Sequence, residues 1–585
     1  MAIIVKHNDQ NHPQKKGFWW KLLSGVGTYV AVCVALGVII SFVLSIPYTK
    51  LEENTIYRID LEGVLVDQAT EENLLDAIVT NMIGKPMTET VGLNELLNNI
   101  ALAKNNDKIL GIYLRGGTLK AGPASAKALR DALLDFKQSG KFIIAYADSY
   151  TLMNYYIASV ADKIYLNHVG NVMWDGMVAQ KHYFSRLLEK IGVEMQILKV
   201  GTFKSAVEPY FRTSMSEEDR KQTEQYLNGI WNELKSAVAQ KRPITIEQLD
   251  TYADECMSLQ DAHKCLEYNF VDQLVYVQDM ENILRQYAGT PDYHIVNNKQ
   301  MTNVKREESD ATDKVAIIYA EGAIVDYGNT GIVEDKILRN IKKIKEDKDV
   351  KAVVLRVNSP GGSANASEQI WHAIKTLQEK GLPVVVSMGD YAASGGYYIS
   401  CGADYIYAEP TTLTGSIGIF GTVPNANQLL DKVGLDVDNV STNKHSDLFN
   451  NAICKGLDNE EMALMQSMVE RGYDLFTKRC ADGRDMTQDE IKKIGEGRVW
   501  LGKDALEIGI VDELGNINDA IVKAAKLANL GRYKLVDYPE KVTIIDKLQE
   551  LIFDKSSPEE KLIMQVREFS SKPRVMALMP EVMIK

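Results

Sequence analysis

No two cysteines in this sequence stand at CxxC spacing, no Cys/His set has the spacing of a metal site, and no long basic run occurs. The six cysteines, Cys33, Cys256, Cys265, Cys401, Cys454 and Cys480, are scattered through 585 residues. That pattern argues against a structural zinc and against a disulfide framework, and reads as buried thiols. A formal net charge of −13 without a basic patch argues against nucleic-acid binding. The remaining composition, 45% apolar and 25% charged, is that of a globular chain long enough for two or three domains.

Charge is missing altogether between Leu22 and Thr49. Such a run exceeds the ~20 residues that cross a bilayer as a helix. A cleaved signal peptide would have a shorter apolar core and a small-residue cleavage site, and Ser45-Ile46-Pro47 is a poor one. Lys6, Lys15, Lys16 and Lys21 precede the run, and Glu52 and Glu53 follow it. The positive-inside rule therefore puts residues 1–21 in the cytoplasm, a transmembrane helix over 22–49, and the bulk of the chain outside.

Beyond that span the chain repeats itself. LEGVLVD at 61–67 returns as AEGAIVD at 320–326, ADKIY at 161–165 as ADYIY at 403–407, and VDQL at 271–274 as VDEL at 511–514. Three anchors in the same order define two copies of one unit. The polar, aperiodic stretch 297–313 reads as a linker. This gives an N-terminal domain over 54–296, a C-terminal domain over 314–540, and a partly amphipathic tail over 541–585.

The chemistry concentrates in the second copy. Val384-Val385-Val386 reads as a buried strand, and it leads into GDYAASGGYYIS at 389–400. There Ser394 stands among small residues where a helix should begin. A hydroxyl at such a junction meets free N–H groups that favour developing negative charge, and Gly395 and Gly396 let a substrate backbone come close. Upstream, the apolar AVVLRV (352–357) is followed by NSPGGS (358–363). Pro360-Gly361-Gly362 is turn chemistry, and the N–H groups of Gly361 and Gly362 are candidate oxyanion donors. Ile370, Ala373, Ile374 and Leu377 then mark one face of a helix. Strand, turn, helix, strand, serine turn and helix make a βαβ-type frame. Aligning Asp148 with Asp390 and Tyr155-Tyr156 with Tyr397-Tyr398 puts Leu152 opposite Ser394. Gly116-Gly117-Thr118 is the expected counterpart of the Pro-Gly-Gly turn. The first copy has the frame without a nucleophile.

A serine hydroxyl needs a base. Of the eight histidines, His445, two residues from Asp447, is the one a Ser–His–Asp arrangement would use. A lysine serves instead if burial lowers its pKa by roughly three units from ~10.4, at a cost of about 4 kcal/mol. Lys204 lies in the apolar VGTFKSAVEPYF (200–211), with Glu208 as its near charge and a helix start at Ser216 after it. Lys444, its repeat counterpart, lies in the polar VSTNKHSDLF (440–449), 50 residues after Ser394. Ser441 to Lys444 also spells SxxK, but no KTG follows and no helix is indicated.

The series NSPGGS, AASGGYYIS and LTGSIGIFG (413–421) resembles the signal peptide peptidase A family of bacterial membrane-bound serine proteases, over most of residues 54–540. The resemblance implies an α/β fold of tandem ClpP/crotonase-like domains and a Ser–Lys dyad. KSAVEPYF and the acidic helix start after it resemble the lysine motif of the long, two-domain members, which makes Lys204 the base for Ser394. Ser416 matches a family serine that hydrogen-bonds the lysine; its alternative is a turn hydroxyl bonded to its own backbone. The family further implies cleaved signal peptides and other extended apolar peptides as substrates, and no metal or organic cofactor. It also implies a homotetrameric ring or bowl on the periplasmic side of the inner membrane. Two other expectations compete: a crotonase-like acyl-CoA enzyme with the same Gly-Gly frame, and an inactive membrane scaffold, as the first copy already resembles.

Overall fold

Runs such as TIYRIDLEGVLV and VKAVVLRVNS carry apolar residues on both faces, and a strand of that kind is satisfied only in a parallel sheet covered by helices on each side. The computed structural model describes residues 48–69, 90–306, 310–449, 451–539, 575–579 and 583–584. The predicted transmembrane run lies outside these residues except for its last two, and so does most of the tail. Among the described residues no helix is long and apolar enough to cross a membrane.

In the N-terminal unit, β1 (Thr55–Val66), β2 (Ile109–Lys120), β3 (Phe142–Ala147) and β4 (Lys163–Leu166) pair in that order, all parallel. The crossovers run through α1 (Leu93–Asn105), α2 (Pro123–Lys137) and α3 (Leu152–Ala158). The unit goes on to β5 (Glu194–Lys199) and the long α4 (Glu217–Ala239), which Ser216 caps as its sequence suggests. The C-terminal unit repeats the plan with β6 (Lys314–Glu321), α5 (Glu334–Glu346), β7 (Val350–Ser359), the short β8 (Gly361–Ser363) and α6 (Ala364–Glu379). It continues through β9 (Val384–Ala393), α7 (Gly395–Ser400), β10 (Tyr405–Ala408), β11 (Leu413–Gly415) and β12 (Phe420–Asn425). Strands β6, β7 and β9 are parallel neighbours, and β9 forks, pairing with β10 along its first half and with β11 along its second.

The repeat extends to individual hydrogen bonds. The Tyr155 hydroxyl donates to the Phe270 carbonyl at 2.9 Å, and Tyr397 donates to Ile510 at 3.0 Å. The aspartate after each of those carbonyls, Asp272 or Asp512, accepts the N–H of Ile164 or Ile406 at 2.8 Å. Strand register corrects one expected equivalence. Leu61 faces Gly116 where Ala320 faces Val357, so Gly116-Gly117 stands opposite Val357-Asn358 and not opposite Pro360-Gly361. In the first copy β2 runs unbroken to Lys120, whereas Pro360, lacking an N–H, interrupts the second.

Two features join the units. One hydrophobic core runs from Leu114 and Leu133 to Val315, Ile317 and Val354. A second, mixed sheet then crosses the boundary: β12 pairs antiparallel with β5, from Phe420 opposite Lys199 to Asn425 opposite Glu194. The predicted linker is not structureless throughout. Asn297 and Gln300 form a capping box on a helix at Asn298–Thr302, and Asn298 accepts from Tyr57 and Asn99 of the N-terminal unit. Cys256, Cys265, Cys401, Cys454 and Cys480 are free thiols.

Because the two tyrosine hydroxyls make equivalent buried bonds, Tyr155→Phe and Tyr397→Phe should each destabilise their unit by about 1–2 kcal/mol. Thermal unfolding of the two variants should show downward Tm shifts of similar size; a shift from only one would mean that the copies do not share this tie.

Candidate active site

Strand β9 ends at Ala393 and α7 begins at Gly395, so Ser394 forms the whole turn between them. Its backbone, at φ 57° and ψ −113°, sits where L side chains rarely go, at a cost of about 1–3 kcal/mol. Small neighbours permit the bend: a Cβ on Gly396 would lie 2.6 Å from the Ser359 carbonyl oxygen. The surrounding strand holds it. Ser394 N–H donates to Gly415 O at 2.8 Å, Thr414 Oγ1 to Ala392 O at 2.8 Å, and Thr412 Oγ1 to Gly389 O at 2.7 Å.

The partner for this hydroxyl comes from the other unit. Once β5 is laid along β12, the chain turns back just past Lys199 and brings Lys204 inward. Lys204 is fully buried, with Nζ 2.7 Å from Ser394 Oγ and 3.1 Å from Ser416 Oγ, and it donates to the Ser416 carbonyl at 3.0 Å. Burial pushes its pKa well below the ordinary lysine value. Glu208, the acid nearby in sequence, turns away to accept from the backbone N–H and hydroxyl of Ser216. Ser416 also sits at positive φ, 50°, with its N–H donated to Arg498 O.

The alternative bases lie elsewhere. Lys444 is exposed and paired with Glu460, which raises its pKa, and His445 shares that acid at 3.3 Å. Among the described residues Lys204 is the one side chain bonded to Ser394 Oγ. The segment carrying Ser441 and Lys444 has no helix.

The glycines divide. Gly395 opens α7 beside Ser394. Gly361, expected to offer a free N–H, donates it to Ser359 Oγ at 3.1 Å. Gly362 is forced to be glycine, since a Cβ there would lie 2.0 Å from the Ile324 carbonyl oxygen. An extended piece of the chain's own tail, β13 (Val575–Leu578), lies between β8 and β12, antiparallel to both. Met579 N–H then donates to Pro360 O at 2.7 Å, and Ser394 is fully buried.

Sequence reasoning passed over two contributors. Gly497, at φ 77°, lets the chain press on the lysine: a Cβ there would lie 2.6 Å from Lys204 Cβ. Gln222 of α4 ties the lysine loop to the other unit, donating to Phe203 O and accepting the Val499 N–H. Neither belongs to a motif; a positive φ and a bridge between distant segments are properties of the folded chain.

A serine hydroxyl held against a buried amine whose pKa burial lowers is an arrangement that could activate a nucleophile, and comparison with known proteins gives the family. Residues 135–290 and 376–531 match peptidase family S49, each match starting in the helix before the third long strand of its unit, and residues 306–412 match the Clp protease family. "Protease 4" of Salmonella typhi is 36% identical over 509 residues, covering 84% of this chain and 81% of the relative. "Protease 4" of Haemophilus influenzae is 34% identical over 540 residues, covering 88% and 86%, and "Serine protease SPPA, chloroplastic" of Arabidopsis thaliana is 28% identical over 517 residues, covering 86% and 72%. With the family matched in both repeats and relatives aligned along most of its length, the chain belongs to peptidase family S49 as a tandem-repeat serine peptidase.

Proposed function

We propose that the chain hydrolyses extended apolar peptides, cleaved signal peptides among them, by a Ser394–Lys204 dyad at the junction of its two units. The observation that carries this reading is the 2.7 Å approach of a fully buried lysine amine to the serine hydroxyl. Neutral Lys204 takes the proton from Ser394 Oγ as the oxygen attacks the peptide carbonyl. Ser416 Oγ accepts from the amine and keeps it aimed. The negative charge that forms on the carbonyl oxygen is met by backbone N–H groups of Gly395 and of the Gly361-Gly362 segment, with Gly361 exchanging Ser359 Oγ for the oxyanion. Lys204 then protonates the leaving amine, and water, deprotonated by the same lysine, releases the acyl group from Ser394.

The groove between β8 and β12 suits an extended substrate. An extended segment already fits there by strand addition, with main-chain bonds giving affinity and side-chain pockets giving preference. The preference for signal peptides rests on the resemblance of NSPGGS, AASGGYYIS and LTGSIGIFG to the signal peptide peptidase A family. Anchoring through 22–49, with the catalytic units on the periplasmic side, rests on the uncharged run and the lysines before it. A homotetrameric ring with its sites inside would keep folded proteins away from the serine.

Peptide hydrolysis should vanish in Ser394→Ala and in Lys204→Ala and persist in Lys444→Ala; activity in Lys204→Ala would remove the dyad. Because burial lowers the Lys204 pKa, kcat/KM should fall only as pH drops through that lowered value, so its acid limb should lie well below ~10.4. The same burial makes the unfolded state the better proton binder between the two pKa values, so it costs stability at neutral pH. Lys204→Met should therefore raise Tm while abolishing activity. Leu152→Ser should not rescue Ser394→Ala, since the first copy lacks the Pro360 break and its buried Lys204 is bonded to Ser394 and Ser416 of the second. For topology, protease added outside spheroplasts should degrade the large units and leave a small protected N-terminal fragment.

A further inference from the structure

The dyad draws its serine from one unit and its lysine from the other, so the 2.7 Å separation depends on how the units are set against each other. Strand β9, which delivers Ser394, is gripped from the N-terminal unit at two places. Helix α2 has no capping side chain of its own. Its first-turn donors are satisfied by Asp390 of β9, whose carboxylate accepts from Ala124 N–H at 2.8 Å, Ser125 N–H at 3.1 Å and Ser125 Oγ at 2.5 Å. Gly122 admits this approach, as a Cβ there would lie 2.1 Å from Asp390 Cγ. Farther back, Arg356 of β7 donates from Nε to Asp67 of the N-terminal unit at 2.9 Å, with Nη2 in ion-pair contact with the same oxygen at 2.9 Å, and donates from Nη1 to Ser387 Oγ and Met388 O of β9. All three of these charged side chains are buried.

The repeat supplies the control. Aligned through Tyr155-Tyr156 and Tyr397-Tyr398, the counterpart of Asp390 is Asp148, although strand register puts one extra residue into the second copy between Ser387 and Ala392. Asp148 is exposed, and among the described residues its carboxylate accepts only from the Tyr146 hydroxyl and the Asn167 amide. The counterpart of Arg356 is Arg115, also exposed. The N-terminal sheet is built with both groups in water, so the frame itself does not need them buried. They are buried at the one junction where a serine must meet a lysine.

We propose that Asp390 is a positioning residue for peptide hydrolysis: by capping α2 of the other unit, it fixes the β9 turn at the distance from Lys204 that proton transfer requires. The link is short and stiff. From Asp390 the strand runs to Ser394 with Gly389, Ala392 and Ser394 each bonded to Thr412, Thr414 or Gly415, so a shift at Asp390 is carried to the hydroxyl. The proposal rests on the Ser394–Lys204 reading, and the two fail differently. If Lys204→Ala is active the dyad is wrong, whatever Asp390 does.

The test uses the full chain with Asp390→Ala, Asp390→Asn, Ser125→Ala and Asp148→Ala. It reads kcat and KM on one extended peptide, the rate at which a fluorophosphonate labels Ser394, and Tm. Asp390→Ala should lower kcat and the labelling rate together by about 100-fold, the order expected for a displacement near 1 Å, with KM little changed. Asp390→Asn keeps an oxygen for the two backbone N–H groups and should recover most of the loss. Ser125→Ala removes one of the three bonds and should fall between wild type and Asp390→Ala, while Asp148→Ala should match wild type. A folded Asp390→Ala within about twofold of wild-type kcat overturns the proposal. So does an Asn variant as impaired as the Ala variant, or a loss carried in KM. If Asp390→Ala does not fold, Asp390→Asn and Ser125→Ala decide: unchanged kcat in Ser125→Ala, or kcat in Asp390→Asn as low as in the dyad variants, refutes it.

Discussion

A lysine amine that is to act as a base near neutral pH must be kept from water, and this requirement shapes the molecule more than any other. Pairing with a carboxylate favours the protonated amine further, and the hydrogen bond to Glu460 accordingly pushes the Lys444 pKa up. Lys204 is fully buried with no carboxylate bonded to it among the described residues, and that burial pushes its pKa well below the ordinary lysine value. Neither unit could bury it unaided. The loop that carries it belongs to the first, and Ser394, Ser416, Gly418 and Gly497, which close over it, belong to the second. On the proposed dyad, the shared core and the β5–β12 pairing are therefore conditions of the chemistry as well as of the fold.

Around that buried amine the backbone is unusually constrained. Ser394 and Ser416 both hold positive φ, and Gly415 and Gly497 lie close to them in the same region. Such conformations persist only where neighbours over-determine them. Here the two threonines on either side of Leu413 bond to the carbonyls of β9, Gly415 takes the Ser394 N–H, and Arg498 takes the Ser416 N–H. The strain lies at the turn; the restraint lies in the hydrogen bonds of the largely buried sheet beside it.

The two copies show how one frame can carry chemistry or scaffold it. Their tyrosine and aspartate ties are alike, and their three principal strands run in the same order. They differ at a handful of places: Leu152 for Ser394, an unbroken β2 for the Pro360 interruption, and exposed Arg115 for buried Arg356. The first copy spends its equivalent surface on holding the lysine loop and the α2 terminus for the second. Under the proposed dyad, division of labour between repeats accounts for a serine and a lysine separated by 190 positions in the chain.

Much of this was legible before folding. Paired apolar runs gave the strands, the recurring LEGVLVD/AEGAIVD and VDQL/VDEL anchors gave the two units, and the small-residue cluster after Val384-Val385-Val386 marked Ser394, because these signals are local in the chain. The choice of Lys204 over Lys444 came from resemblance; what separates them physically is burial, which depends on segments far apart in sequence. Local patterns also misplaced some detail. Gly116-Gly117 looked like the turn's counterpart, but strand register puts it opposite Val357-Asn358. Gly361 looked like a free donor, but Ser359 had taken its N–H. Part of an apparent linker was a capped helix on the N-terminal unit. Composition and short-range pattern thus determined which residues could react and which elements would form. Only the tertiary structure decided which reactive groups meet, because the distance between two side chains and the water between them are set by packing across the whole chain.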